Sequence, residues 1–362
     1  MKAPFPWFGG KSRVADVVWQ HFGDVPNYVE PFAGSLAVLL GRPHQARIET
    51  VNDKDGFVSN FWRAVSIRPD EVAYHADWPV NESDLTARHL WLVQRREDLT
   101  RRLEADPGYY DAKVAGYWVW GLCCWIGTGW CSGDGPWVNE GGLLTKRSDT
   151  DEDGVTRKIP NLTTWGGMPE ASTDQLPHVS NAGQGVNATG VRRQLPHVGD
   201  GGRGVNRKLP HVGGEVNPLL VMFCQLQERL RYVRVCCGDW ARILTAAPTT
   251  RLGLTGVFLD PPYASEDRED CYVEESYTVA HDVRAWALEH GDDPDMRIAL
   301  CGYDGEHNTL EDRGWSKHHW SAHGGYANTG SKGNANRHRE VIWFSPHCVK
   351  PAAQFSLALE MA

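Results

Sequence analysis

No run of 18 or more apolar residues occurs anywhere in the sequence, so no membrane-spanning helix is expected. The opening MKAPFPWFGG carries one lysine but no apolar stretch of the kind that directs secretion. Cysteine occurs nine times, an odd number, and never as Cys-x-x-Cys. That spacing gives neither a disulfide framework nor a zinc site, so no metal is expected and a reducing, cytoplasmic compartment fits best. The G-x-G-x-x-G fingerprint of dinucleotide binding is also missing. Gly10-Lys11-Ser12 lacks the leading glycine of a phosphate-binding loop, and no strand precedes it.

The 362 residues are 41% hydrophobic, enough for one large core or two moderate ones. The net charge of −9 runs against a nucleic-acid partner, because phosphate contacts need cations. Distribution matters more than the mean. Between Gly154 and Gly214, seven basic residues face three acidic ones, a local excess compatible with a DNA-facing surface.

Residues 27–34 read as a short strand entering a glycine turn, followed by a helix over SLAVLLGR with Ser35 placed to cap it. Residues 47–53 read as the next strand, completing a βαβ unit and implying a parallel sheet. Residues 56–105 have helical spacing, and 117–137 are dense in tryptophan, more often core than a stacking platform. Strand signals resume at 231–240, 255–263, 296–304 and 339–346, with helical stretches at 218–230 and 279–290. The expected organisation is an α/β catalytic domain from 1–55 and 216–350, interrupted by an insertion over 56–215 and ending in a tail over 351–362. The insertion divides into a helical part (56–137) and a Gly/Asn/Pro-rich part (138–215).

That second part holds a repeat. Leu176-Pro177-His178-Val179 recurs at Leu195–Val198 and Leu209–Val212. The unit is too short to bury a face as a solenoid repeat. It reads either as a solvated insertion or as turns whose Arg192, Arg203 and Arg207 contact phosphates. Lys332, in the loop 324–336, either touches DNA or merely joins two strands.

Asp260-Pro261-Pro262-Tyr263 is the strongest chemical signal. It follows Val257-Phe258-Leu259, at the carboxyl end of a buried strand, where open α/β sheets bind ligands. An exocyclic amine on a base is a poor nucleophile because its lone pair is delocalised into the ring. The Asp260 carboxylate and the Pro261 carbonyl, each accepting one amine hydrogen, would free that lone pair and aim it. The paired prolines stiffen the turn, and Tyr263 offers a flat face to a base taken out of the stack. A plain surface turn is the simpler alternative, but the four-residue string behind a buried strand is more specific than that.

Glu30-Pro31-Phe32-Ala33-Gly34 is a small-residue turn that lets backbone approach a ligand. Asp53 stands 19 residues after Gly34, about the spacing at which an acid takes ribose hydroxyls. Asp239, followed by Trp240, either accepts from an adenine amine or caps a helix. Lys11, in the Gly-Gly turn, is placed to meet a carboxylate.

In this order, PWFGGKSR, YVEPFAG, VND, CGDW and LDPPY resemble the Dam-type family of DNA adenine N6-methyltransferases, and CGYDGEH and REVIWFSP resemble its phage and prophage members. The resemblance implies a Rossmann-like, three-layer αβα sandwich around a mostly parallel sheet, with target recognition in the insertion. It implies S-adenosyl-L-methionine as cofactor and double-stranded DNA as partner. Trp7 and Lys11 match the methionine end of the cofactor site, Glu30, Phe32 and Gly34 its loop, Asp53 the ribose acid and Asp239 the adenine acid. Asp260, Pro261, Pro262 and Tyr263 match the catalytic loop, and Tyr272 a lid over the flipped base. The Arg-Tyr-Asn run of GATC-specific members is missing, so GATC is not implied. Methylation of cytosine N4 or of RNA, and a catalytically silent DNA-binding relative, remain the alternatives.

Overall fold

A computed structural model of the chain describes residues 1–7, 9–125, 130–131, 137–140, 143–146, 217–263, 278–320 and 339–350. The elements run α1 (Ala15–Phe22), β1 (Asn27–Glu30), α2 (Ala37–Leu40), β2 (Ile48–Asp53), α3 (Gly56–Ile67), α4 (Pro69–Ala76), α5 (Glu82–Val93), α6 (Arg96–Ala105) and α7 (Ala112–Cys124). After a hairpin of β3 (Trp137–Glu140) and β4 (Leu143–Lys146) come α8 (Pro218–Leu230), β5 (Val233–Cys237), β6 (Thr255–Leu259), α9 (Val279–His290), β7 (Met296–Tyr303), β8 (Ser316–His319) and β9 (Glu340–Phe344).

Seven strands form one sheet in the order β5-β2-β1-β6-β7-β9-β8. The first five are parallel, and β9 runs antiparallel to both its neighbours. Period-2 alternation splits the sheet's side chains between two cores. Tyr28, Phe258, Ala299, Cys301, Ile342 and Phe344 face one, with α1, α3, α7 and α8 packed over them. Val29, Val257, Leu259, Ile298, Leu300, Val341 and Trp343 face the other, under α9. The result is the expected Rossmann-like three-layer sandwich. Strands buried on both faces read as continuous apolar runs, which is why they were legible.

Two expectations need correction. Ser35 caps nothing: α2 starts one residue later, from Leu36 in the left-handed region (φ 53°), with no side-chain cap. Residue 56 also marks no break in packing. Ten of the twelve residues of α3 are buried. Arg63 of α3 donates to the Val235 carbonyl of β5 (3.0 Å) and to the carbonyls of Asp106 and Tyr109 (both 2.9 Å). α3 is therefore a layer of the sandwich, and α7 and α8 complete the same core. The broad helical stretch resolves into separate helices, interrupted where Arg68 precedes Pro69 and where Asn81 caps α5. Across this face, Arg229 of α8 pairs with buried Glu49 of β2 (2.6 and 2.9 Å).

Candidate active site

Strand order reverses at β1: its chain-order successor β2 lies on one side and β6 on the other. Ligands of open α/β sheets bind outside the carboxyl ends at such a point. The loops leaving β1, β2, β5 and β6 there carry Glu30–Gly34, Asp53, Asp239 and Asp260–Tyr263.

On the β1–β2–β5 side, the backbone sets the geometry. Gly34 has φ +44°, and a methyl group there would lie 2.5 Å from Trp7 Nε1, so the indole packs directly over the glycine. The Gly34 N–H donates to Asp53 Oδ2 and the Asp55 N–H to Asp53 Oδ1, both at 2.9 Å. Trp62 Nε1 of α3 donates to the Gly34 carbonyl at 2.8 Å. Burial, with the nearby Asp55 charge adding to it, pushes the Asp53 carboxyl up to about 7 despite these donors. Asn52 joins the two flanking loops, donating to the carbonyls of Pro31 (3.1 Å) and Gly238 (2.9 Å), while the Gly238 N–H donates to the Asp53 carbonyl (3.1 Å). Phe32 and Trp240 stack at 6.2 Å with 26° between planes. Asp239 is exposed, and its Oδ1 accepts from the Ala241 N–H at 2.9 Å. The cap is therefore formed, which leaves Oδ2 for any further partner.

Glu30 lies deeper than the sequence implies. It is buried, accepts from the Tyr28 hydroxyl at 2.9 Å, and is pushed well above the ordinary carboxyl range by burial and, to a lesser degree, by the Asp260 charge. It supports the loop from beneath.

On the β6 side, side chains set the geometry. Lys11 is buried, and its Nζ meets Asp260 Oδ2 at 2.9 Å and the Gly9 carbonyl at 2.8 Å. Its charge is thus directed at the motif carboxylate. Burial opposes that charge, but Asp260 and Glu340 together hold its pKa above the usual lysine value. Tyr263 is 9% exposed, with Tyr303 edge-on at 4.7 Å and Lys11 Nζ 5.6 Å from its ring. Its hydroxyl donates to Glu340 Oε2 at 2.8 Å and lies 3.3 Å from Asp260 Oδ1. In this state the tyrosine is tucked into the core edge and does not form an open platform. Pro261 is buried and Pro262 half-buried.

The fold thus joins Lys11, Asp260 and Tyr263 into one cluster and Trp7, Gly34 and Asp53 into another. Arg192, Arg203, Arg207, Tyr272 and Lys332 lie outside the described residues. Sequence reasoning missed Glu340, Asn52 and Tyr28. Glu340 carried a usable signal: a lone acid opening the apolar strand EVIWF. Among the described residues no group of three metal-ligating side chains occurs, and no helix is long and apolar enough to cross a membrane.

A search of the curated proteins finds no match. Residues 7–102 match the family model described as D12 class N6 adenine-specific DNA methyltransferase. The match opens at Trp7, takes in Lys11, Gly34 and Asp53, and ends within α6, before Asp260. Over that span the chain is similar to the D12 class of N6 adenine-specific DNA methyltransferases.

Proposed function

We propose that the protein transfers a methyl group from S-adenosylmethionine to N6 of an adenine flipped out of duplex DNA, with Asp260 and the Pro261 carbonyl holding the amine. The observation that carries this reading is Asp260, fixed by a buried lysine at the carboxyl edge beside the switch point.

The β1–β2–β5 edge fits the cofactor by its donor set. Asp53 and Asp239 end adjacent strands, each able to accept from hydroxyls or an amine, and side-chain-free Gly34 lets the backbone come close. Asp53 would hold the ribose and Asp239 Oδ2 the adenine amine, beside Phe32 and Trp240. When bound, the cofactor supplies an electrophilic sulfonium methyl. Lys11 orients Asp260. Trp7, seated on Gly34, closes the methionine end. Extruding the adenine costs roughly a few kcal/mol in unstacking, and catalysis is then positioning plus preorganised electrostatics. DNA phosphates are assigned to Arg192, Arg203 and Arg207 of the insertion and to Lys332 of the loop 324–336, and Tyr272 is assigned a place over the flipped base.

The test is to incubate the protein with labelled S-adenosylmethionine and unmethylated duplex DNA and identify the modified nucleoside by mass spectrometry. N6-methyladenine that disappears with Asp260→Ala is the expected result. Label in cytosine or RNA overturns the substrate. Cofactor binding with no transfer to any acceptor overturns the catalytic reading.

A further inference from the structure

Methylating an exocyclic amine leaves one proton too many. The N6 lone pair forms the N–C bond, the C–S bond breaks with its electron pair going to sulfur, and nitrogen is left carrying the positive charge and a surplus hydrogen. That proton needs an acceptor within the site.

Behind Asp260 stands a residue that the function described above leaves without a task. Glu340, the first residue of β9, is 6% exposed at the inner end of the cluster. The Tyr263 hydroxyl bridges it to the motif carboxylate, 2.8 Å from Glu340 Oε2 and 3.3 Å from Asp260 Oδ1. A hydroxyl both accepts and donates, so this is a continuous chain from Asp260 to a second, buried carboxylate. Neither a structural cap nor a base-stacking tyrosine requires a buried acid at its far end, and an unpaired buried carboxylate is costly.

Resting on the methyl-transfer reading above, we infer that Glu340 is the terminal proton acceptor of the reaction, reached through Tyr263. Asp260 takes the proton from the methylated nitrogen. The Tyr263 oxygen accepts it from Asp260 while its own hydroxyl proton passes to Glu340. The tyrosine ends neutral, no electrons are exchanged, and the net product is one protonated Glu340, which then loses its proton to solvent. Glu340 acts through Tyr263 and is a positioning and proton-accepting residue. The groups facing it are consistent with the direction of transfer. Lys11 comes from the N-terminal turn, Asp260 and Tyr263 from the β6 loop, and Glu306 from the turn after β7. Arg339 immediately precedes it, ahead of β9, its guanidinium 5.0 Å from the Tyr303 ring. Burial and, after the opposing charge of Lys11, the neighbouring Asp260 charge raise the proton affinity of Glu340 above that of an ordinary carboxyl.

The experiment is single-turnover methyl transfer with wild-type protein, Glu340→Gln, Tyr263→Phe and the double variant, across pH. Glutamine keeps an acceptor for the tyrosine hydroxyl but takes no proton. The expected loss is about 10²-fold for each single variant, at the lower end for acid–base groups, and no further loss in the double variant. In wild type the rate falls as pH drops through the Glu340 titration, and Glu340→Gln lacks that limb. Cofactor affinity and thermal midpoint are measured alongside to show that the variants are folded and loaded. A folded, loaded Glu340→Gln with the wild-type rate and pH profile overturns the inference, as does a Tyr263→Phe loss that adds fully to that of Glu340→Gln. Wild type that methylates no adenine overturns the underlying reading instead, so the two failures are distinct.

Discussion

Asp53 and Asp260 end strands on either side of β1 along one sheet edge, and the protein holds them in opposite ways. Backbone N–H groups of Gly34 and Asp55 hold Asp53, and burial drives its carboxyl up to about 7. Asp260 faces the ammonium of a buried lysine at 2.9 Å. Dipoles from the loop fix where Asp53 sits without fully offsetting the cost of its charge. That suits an acid whose partners are neutral hydroxyls. The cation fixes the direction of the Asp260 carboxylate, the group of opposite sign that an amine turning positive needs beside it. Under the proposed function, the edge divides into a half that binds the cofactor and a half that reacts.

The division is broken most directly by removing each acid. Asp260→Ala is expected to cost at least about 10²-fold in the methyl-transfer rate, as for loss of one preorganised contact, with cofactor affinity nearly unchanged. Asp53→Asn is expected to do the reverse: a loss of about tenfold or more in cofactor affinity, as for a hydrogen bond to a charged group, with the rate at saturation kept. Titration calorimetry and single-turnover kinetics on both variants check the split. If both lose the same quantity, the two halves are one site.

Lys11→Met sharpens the reacting half. Breaking the pair from one side leaves a partly exposed carboxylate without its cation and costs roughly 1–3 kcal/mol, which urea unfolding measures. The double variant Lys11→Met/Asp260→Leu should recover most of that stability and none of the activity. A single variant as stable as wild type would mean that solvent at Asp260 fully offsets the lost cation.

Much of this arrangement was legible in the sequence. Val257-Phe258-Leu259 ahead of Asp260 announced a buried strand and its reactive end, and the interval from Gly34 to Asp53 announced a βαβ turn and its acid. What was hidden lies in contacts between distant segments. Lys11 looked free to meet a ligand because nothing in PWFGGKSR reveals that the chain returns 249 residues later with Asp260. Glu340 lies inside the strand signal at 339–346, and only the pairing of β7 with antiparallel β9 brings it to Tyr263. α3 was placed in an insertion because its change of period resembles a domain change. Only the three-dimensional contacts of Arg63 and Trp62 show it closing the sheet.

The raised Asp53 carboxyl gives the comparison a pH signature. Its folded pKa, about 7, lies above the ordinary 3.8, so between those values the folded state binds more protons than the unfolded one. Stability from this group is present below the ordinary value and is lost progressively as pH rises from there through about 7. Cofactor affinity runs the other way, because hydroxyls donate to the ionised form, and it rises through the same window. Asp53→Asn should flatten both curves. A wild-type affinity constant from pH 5 to 8 would mean that Asp53 does not contact the cofactor.

The smallest effect separates the two tasks of Asp239. Its Oδ1 caps the turn at Ala241, so Asp239→Ala should lose about 0.5–2 kcal/mol of stability, as for other caps. Asp239→Asn keeps a carbonyl oxygen for that cap but puts an amide where Oδ2 stood, and an amide that donates cannot accept from the cofactor's adenine amine. The asparagine variant is therefore expected to melt with wild type and yet bind S-adenosylmethionine several-fold more weakly, while a cofactor analogue lacking the adenine amine loses nothing on the substitution. Equal binding of S-adenosylmethionine by Asp239→Asn and wild type would reduce Asp239 to a cap and leave Phe32 and Trp240 to hold the adenine by stacking alone.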